Sequence, residues 1–68
     1  MNFRPTPDPD VLRLELQAAL RMVSTSADIA RTAAYMTKRE IFEREVANIE
    51  EYLQRAKELA LEVPWPRT

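Results

Sequence analysis

Apolar residues recur along most of the chain at intervals of three and four positions, the spacing that gives an α-helix one buried side. One such row fills the first half of the chain and a second fills the other half. The first row is Leu12, Leu16, Ala19, Val23, Ser26, Ala30 and Ala33. The second row is Phe42, Val46, Ile49, Leu53, Ala56, Ala60 and Val63. The pattern predicts two amphipathic helices of similar length.

The start of the first helix is marked by Asp8, Pro9 and Asp10. Asp8 suits the N-cap, Pro9 suits the first helical position, and Asp10 complements the positive end of the helix dipole. These signals predict helix 1 over residues 9–35. Residues 1–8 carry two prolines and are expected to form an extended arm, because proline disfavours helix in the residue before it.

The weakest part of helix 1 is the run Ser24, Thr25 and Ser26. Short hydroxyl side chains compete with the helical backbone for hydrogen bonds. Two structures are therefore open: a continuous helix with or without a bend, or a break at which Thr25 and Asp28 cap a new helix. We expect the continuous helix.

The boundary between the helices is predicted at residues 36–41. Thr37 and Glu40 have the spacing of a capping box, and Met36 and Ile41 occupy the two positions of a hydrophobic staple. Together these signals predict that helix 2 covers residues 38–62.

The alternative to two helices is one uninterrupted rod, since no glycine or proline lies between Val11 and Val63. Beyond that point Pro64 and Pro66 end the second helix and stiffen a proline-rich tail at residues 63–68.

Folding back at the boundary gives an all-α antiparallel helical hairpin, a single domain over residues 1–68. The apolar arc of helix 1 is about 200° wide, whereas a core-facing stripe is nearer 100°. The chain has no cysteine and no histidine, so association is the remaining way to complete a small core. We expect a homodimer that forms a four-helix bundle. Its predicted core contains Leu12, Leu16, Val23, Phe42, Val46, Ile49 and Leu53.

The residue types needed for catalysis are largely missing. Without histidine, cysteine or glycine the chain has no usual general base, no thiolate and no phosphate-binding loop. We therefore expect no enzyme activity, no cofactor and no metal.

Two carboxylates, Glu15 and Glu45, project from apolar arcs. A dimer would contain four such carboxylates, which resemble a site for a hard cation. We instead expect Glu45 to form an ion pair at the dimer seam with Arg31 or Arg39. The alternative is an edge position from which Glu45 reaches water.

Three residues are candidates for binding another protein: Trp65, Tyr35 and Met36. Trp65 lies between two prolines, and either caps the end of the bundle together with Phe3 of the arm or anchors a partner. Tyr35 and Met36 at the turn either cover the other end or form a small contact patch.

The net charge of −1 gives no strong bias towards nucleic acid or membrane. An outer stripe of Arg13, Arg21 and Arg31 nevertheless supports an alternative function as a nucleic-acid-binding regulator. We expect no secretory signal, because no basic stretch followed by an apolar one opens the sequence, and no apolar run is long enough to span a bilayer. The sequence therefore predicts a cytoplasmic homodimer that binds another protein as an adaptor or accessory subunit.

Overall fold

The chain folds into two α-helices joined by a tight turn, in a computed structural model that describes residues 8–66. Helix α1 spans Pro9–Tyr35 and helix α2 spans Arg39–Glu62. Leu12, near the start of α1, clusters with Val63, just after α2, so the helices run antiparallel. The predicted antiparallel helical hairpin is confirmed. The predicted contact of the N-terminal arm with the tail falls on residues outside the described range.

Helix α1 begins where the capping signals predict. The Asp8 side chain accepts a hydrogen bond from the Asp10 backbone N–H at 2.9 Å, and Pro9 occupies the first turn. The helix continues through the hydroxyl-rich run, where the Thr25 hydroxyl donates to the Arg21 carbonyl at 3.1 Å. Bonding the preceding turn satisfies the hydroxyl inside the helix, so the expected continuous helix is confirmed.

The capping box predicted at Thr37 and Glu40 is wrong. Helix α2 begins at Arg39, one residue later than predicted, and its N-cap Lys38 makes no side-chain hydrogen bond. The Thr37 hydroxyl donates to the Met36 carbonyl at 2.7 Å. The backbone hydrogen bonds at the end of α1 reverse the direction of the chain, and α2 starts directly after this turn.

A Schellman motif ends α1. The Lys38 N–H donates to the Ala33 carbonyl at 2.7 Å, and the Thr37 N–H donates to the Ala34 carbonyl at 3.2 Å. These two bonds satisfy carbonyls that the end of a helix leaves without partners. The motif requires a positive φ at the residue after the helix cap, a position that glycine usually fills. Thr37 adopts it here with φ of 55°.

Replacing Thr37 with Gly is expected to stabilise the fold. A left-handed conformation costs a residue with a Cβ about 1–2 kcal/mol, whereas glycine adds about 0.5–1 kcal/mol of unfolded-chain entropy. The net gain should be about 0.5–1 kcal/mol, measured by urea unfolding. The control is Thr32→Gly inside α1, where the same substitution should lose up to about 1 kcal/mol. Equal losses at both positions would show that Thr37 is not strained.

Helix α1 buries the apolar row predicted from its sequence. Its buried or half-buried members are Leu12, Leu16, Ala19, Val23, Ser26, Ala30 and Ala33. Four of these residues, in the middle of α1 and towards the turn, are alanine or serine. Their small side chains allow α2 to approach closely.

Helix α2 is partly rotated relative to the row predicted for it. Ala56 of that row is buried, as is Val63 just after the helix, but Phe42 and Leu53 of the same row remain 39% and 40% exposed, while Glu45 and Leu59 outside the row are buried. At about 100° per residue, the buried side is centred roughly 60° from the middle of the predicted row. The apolar arc of α2 is wide enough to bury either side, and the turn selects which one faces α1.

The hairpin is a single layer with a small core. Its buried apolar residues are Leu12, Ala19, Ala30, Ala33, Ala56, Leu59 and Val63. The thinnest extent is 14 Å, and the radius of gyration is 15.9 Å, against about 11 Å for a compact chain of this length. One hairpin alone therefore buries few large side chains.

Candidate protein–protein interface

The layer of two helices has two opposite faces, one on each side of the buried seam. The grooves between the helices identify which residues share a face. Ala34 of α1 and Phe42 of α2 line a groove on one face. Met22 of α1 and Tyr52 of α2 line a groove on the other. Helical periodicity extends both assignments along the hairpin.

The face that includes Phe42 is apolar along both helices, and we call it the leucine face. It consists of Leu16, Leu20, Val23, Ala27 and Ala34 on α1 and Phe42, Val46, Ile49, Leu53 and Ala60 on α2. Its largest side chains are substantially exposed: Leu20 to 48%, Phe42 to 39% and Leu53 to 40%. No acidic residue lies within this set.

The leucine face is large for a chain of this size. From Leu16 to Ala34 it runs about 27 Å along α1, at 1.5 Å per residue, and it is two helices, roughly 20 Å, across. Its projected area is therefore on the order of 500 Å², and contiguous apolar patches of this size mark interaction sites in soluble proteins.

The hairpin brings most of the predicted dimer core together. Six of its seven members lie on the leucine face: Leu16, Val23, Phe42, Val46, Ile49 and Leu53. The seventh, Leu12, is 6% exposed and packs inside the hairpin. The sequence reasoning missed Leu20 as a member of this face. Its position, four residues after Leu16, was the available signal.

The opposite face is mixed in character. Its exposed apolar residues include Met22 and Ile29, but Glu15 and Arg55 line the same groove as Met22. Near the turn lies an open apolar groove of about 380 Å³, which we call the turn groove. It is lined by Asp28, Ile29, Thr32, Ala33, Met36, Lys38 and Ile41.

The three predicted partner-binding residues lie at opposite ends of the hairpin. Tyr35 and Met36 flank the turn and are 90% and 55% exposed. Trp65 follows α2 at the other end and is 62% exposed. A single partner site on one hairpin therefore does not contain all three.

Trp65 has a structural role besides its exposure. The Ala60 carbonyl would normally accept from the N–H of residue 64, but Pro64 has none. The Trp65 indole Nε1–H donates to the Ala60 carbonyl at 3.0 Å and takes that place. The indole therefore caps the end of α2 and leaves much of its ring exposed; its predicted role in covering the end of the bundle stays a prediction.

Replacing Trp65 with Phe is expected to destabilise the hairpin by about 0.5–1.5 kcal/mol, the usual net contribution of one hydrogen bond. The loss should shrink in a Pro64→Ala background, because residue 64 then has an N–H for the Ala60 carbonyl. Chemical unfolding of the four chains gives both values. The same loss in both backgrounds would show that the indole hydrogen bond does not stabilise the helix end.

Glu45 is 6% exposed in the seam between the helices. Its carboxylate lies 3.7 Å from the Nε of Arg44, the preceding residue. Within one hairpin Glu45 pairs with neither Arg31 nor Arg39, because of local competition; the predicted pairing across the dimer seam stays a prediction. Each of these arginines has an acidic residue three or four positions away, and the ion pairs are Arg31–Asp28 and Arg39–Glu43, both at 2.8 Å.

The predicted arginine stripe is divided and partly neutralised. Arg13 pairs with Asp10 at 2.8 Å, and Arg31 pairs with Asp28. Arg21 lies about 80° around the helix from the other two. These features do not favour a nucleic-acid interface, and that alternative stays a prediction.

Over residues 8–66 no group of three or more acidic side chains is placed to hold a metal ion. Neither helix, within the same residues, combines the length and the apolar character needed to cross a membrane. Searches of protein-family models, of curated proteins and of solved structures give no match to the chain. Function is therefore inferred from surfaces and charges.

Proposed function

We propose that the protein is a small non-enzymatic interaction module, an adaptor or accessory subunit, that acts as a homodimer. Two hairpins join through their leucine faces and form a four-helix bundle. The observation that supports this proposal is the exposure of Leu20, Phe42 and Leu53 on one face. Burying such a side chain completely contributes about 1.5–3 kcal/mol, so covering the exposed part of these three contributes roughly 1 kcal/mol each.

A second copy of the chain suits the leucine face better than other occupants do. The face is apolar along both helices, as the inner layer of a four-helix bundle is. A twofold axis brings the leucine faces of both copies together, so the leucine face of each copy covers that of the other and enlarges both small cores. The opposite face also exposes Met22 and Ile29, but Glu15 and Arg55 interrupt its groove, whereas no charged residue interrupts the leucine face.

Sedimentation equilibrium tests the homodimer. The expected species has twice the chain mass of 7.9 kDa, and its melting temperature rises with protein concentration because folding and association are coupled. A well-folded species of one chain mass, with a melting temperature that does not change on dilution, would overturn the proposal.

The residues left outside this dimer are the candidates for binding another protein. Met36 and Ile41 of the turn groove lie on the opposite face, and Tyr35 lies beside them at the turn. Methionine adapts to differently shaped partners, which makes it frequent on binding surfaces. We therefore assign the contact with another protein to the turn end.

Affinity capture from the native source tests this assignment. A protein retained by the wild-type chain should be lost with Met36→Glu and kept with Leu61→Glu. Leu61 is 87% exposed and lies outside the turn groove, so it controls for the added charge. Equal capture by both variants would exclude the turn groove as the binding surface.

A further inference from the structure

Trp65 is held beside the end of the leucine face. Its indole Nε1–H donates to the Ala60 carbonyl at 3.0 Å, and Ala60 is the last member of the leucine face on α2. Carbonyl groups of an α-helix point along its axis towards the C-terminal end. The indole therefore lies about one helical turn beyond Ala60, on the side of α2 that carries the leucine face.

The part of the ring that remains exposed is apolar. An indole has one polar group, its N–H, and in Trp65 this group is already bonded within the hairpin. Trp65 is 62% exposed. A large aromatic side chain buries roughly 150–250 Å² when it is covered, so on the order of 100 Å² of this ring is left to cover. Covering it would leave no polar group without a partner.

The ring is also fixed in position before any partner arrives. Pro64 and Pro66 each fix their own φ angle, and the hydrogen bond to the Ala60 carbonyl holds the indole. A side chain that is ordered in advance loses little conformational freedom when it is covered. Rigid, exposed tryptophans of this kind are typical anchors of protein interfaces.

A second copy of the chain is the occupant that the position of the ring favours, provided that the homodimer proposed above exists. The ring extends the leucine face beyond Ala60, so two leucine faces that pack together bring the second copy over it. This holds for either direction of docking. With the turns at the same end, the ring faces the first turns of α1, before Leu16. With the turns at opposite ends, it faces the groove of about 250 Å³ that Ala34 and Phe42 line.

We propose that Trp65 is a residue of the homodimer interface, and that the ring of each copy is buried against the second copy. The dimer then contains two such anchors, related by the twofold axis. The consequence for function is that the end of the hairpin opposite the turn does not bind another protein through Trp65. That contact is left to Tyr35 and Met36 at the turn end.

Quenching of tryptophan fluorescence by acrylamide tests the burial. Trp65 is the only tryptophan of the chain, so the signal has one source. The control combines Trp65→Phe with Leu61→Trp, which moves the fluorophore to a position that is 87% exposed and lies away from the leucine face. In samples that sediment as dimers, the quenching constant of the wild type should be roughly a third of that of the control or less, because the contacts around an anchor exclude water. A ratio near that of the two exposures in the single hairpin, 62% to 87%, is expected if the ring stays uncovered.

Truncation of the ring tests its contribution to association. Trp65→Phe and Trp65→Ala both lose the hydrogen bond to the Ala60 carbonyl, but only Trp65→Ala loses the aromatic ring. The dissociation constant, measured by sedimentation equilibrium, should therefore be roughly tenfold higher for Trp65→Ala than for Trp65→Phe, as is usual when an interface anchor is truncated.

The outcomes separate this inference from the homodimer on which it rests. A low quenching constant, together with weaker association of Trp65→Ala, supports the inference. A ring as accessible in the dimer as in the single hairpin, or equal dissociation constants for the two variants, overturns the inference and leaves the homodimer standing. A wild-type protein that sediments as one chain at every concentration overturns both.

Discussion

Replacing Leu53 with Glu is expected to convert the homodimer into monomer and to lower its thermal stability. Leu53 is at the middle of the leucine face and 40% exposed in the single hairpin. The change removes the burial of the exposed part of two leucines per dimer, roughly 1 kcal/mol each when about 1.5–3 kcal/mol is gained by burying a whole side chain, and adds two carboxylates that the interface would have to desolvate. The dissociation constant should rise by roughly a thousandfold or more. Light scattering of the eluted protein and thermal unfolding by circular dichroism give the two readouts.

The matched control for this change is Leu61→Glu. Leu61 is on the same helix, is 87% exposed and lies away from the leucine face. The substitution is chemically identical and adds the same charge, so the dimer mass and melting temperature should stay near those of the wild type. If Leu53→Glu also remained a dimer, or if both variants dissociated alike, the leucine face would not be the interface.

The parts of the fold that depend on local signals were predictable from the sequence. Asp8 and Pro9 start α1 where their capping and backbone preferences place them. The buried row of α1 follows its apolar spacing from Leu12 to Ala33, because alanine and leucine at intervals of three and four fix one side of a helix.

The rotation of α2 about its own axis was not predictable in the same way. Periodicity says which residues share a side, and α2 has apolar residues on two adjacent sides, around Leu59 and around Leu53. The turn decides between them. Thr37 adopts a left-handed conformation that is rare for a β-branched residue, so the sequence favoured a capping box there and gave no sign of a Schellman motif. The sequence identified most residues of the leucine face as apolar core residues. It did not show that they lie beside the buried seam, on one exposed face of the hairpin.

Replacing Glu45 with Leu is expected to stabilise the hairpin by about 1–3 kcal/mol, the range seen when a buried charge gives way to an apolar side chain. Glu45 is 6% exposed on the side of α2 that also buries Ala56 and Leu59. Its ion pair with Arg44 is long, at 3.7 Å, and the Arg44 side chain is 66% exposed. A pair of this kind contributes little, so it does not offset the desolvation of the carboxylate. Urea unfolding at fixed protein concentration measures the change.

The control is Glu51→Leu, at an exposed position on the same helix, where the stability should change by no more than about 0.5 kcal/mol. The mass of the Glu45→Leu protein distinguishes two roles for this carboxylate. Glu45 lies on the buried side of α2, about 70° away from the leucine face, so the variant should remain a dimer. Loss of both stability and dimer mass would mean that Glu45 pairs across the seam between two copies, and that the hairpins pack through another face.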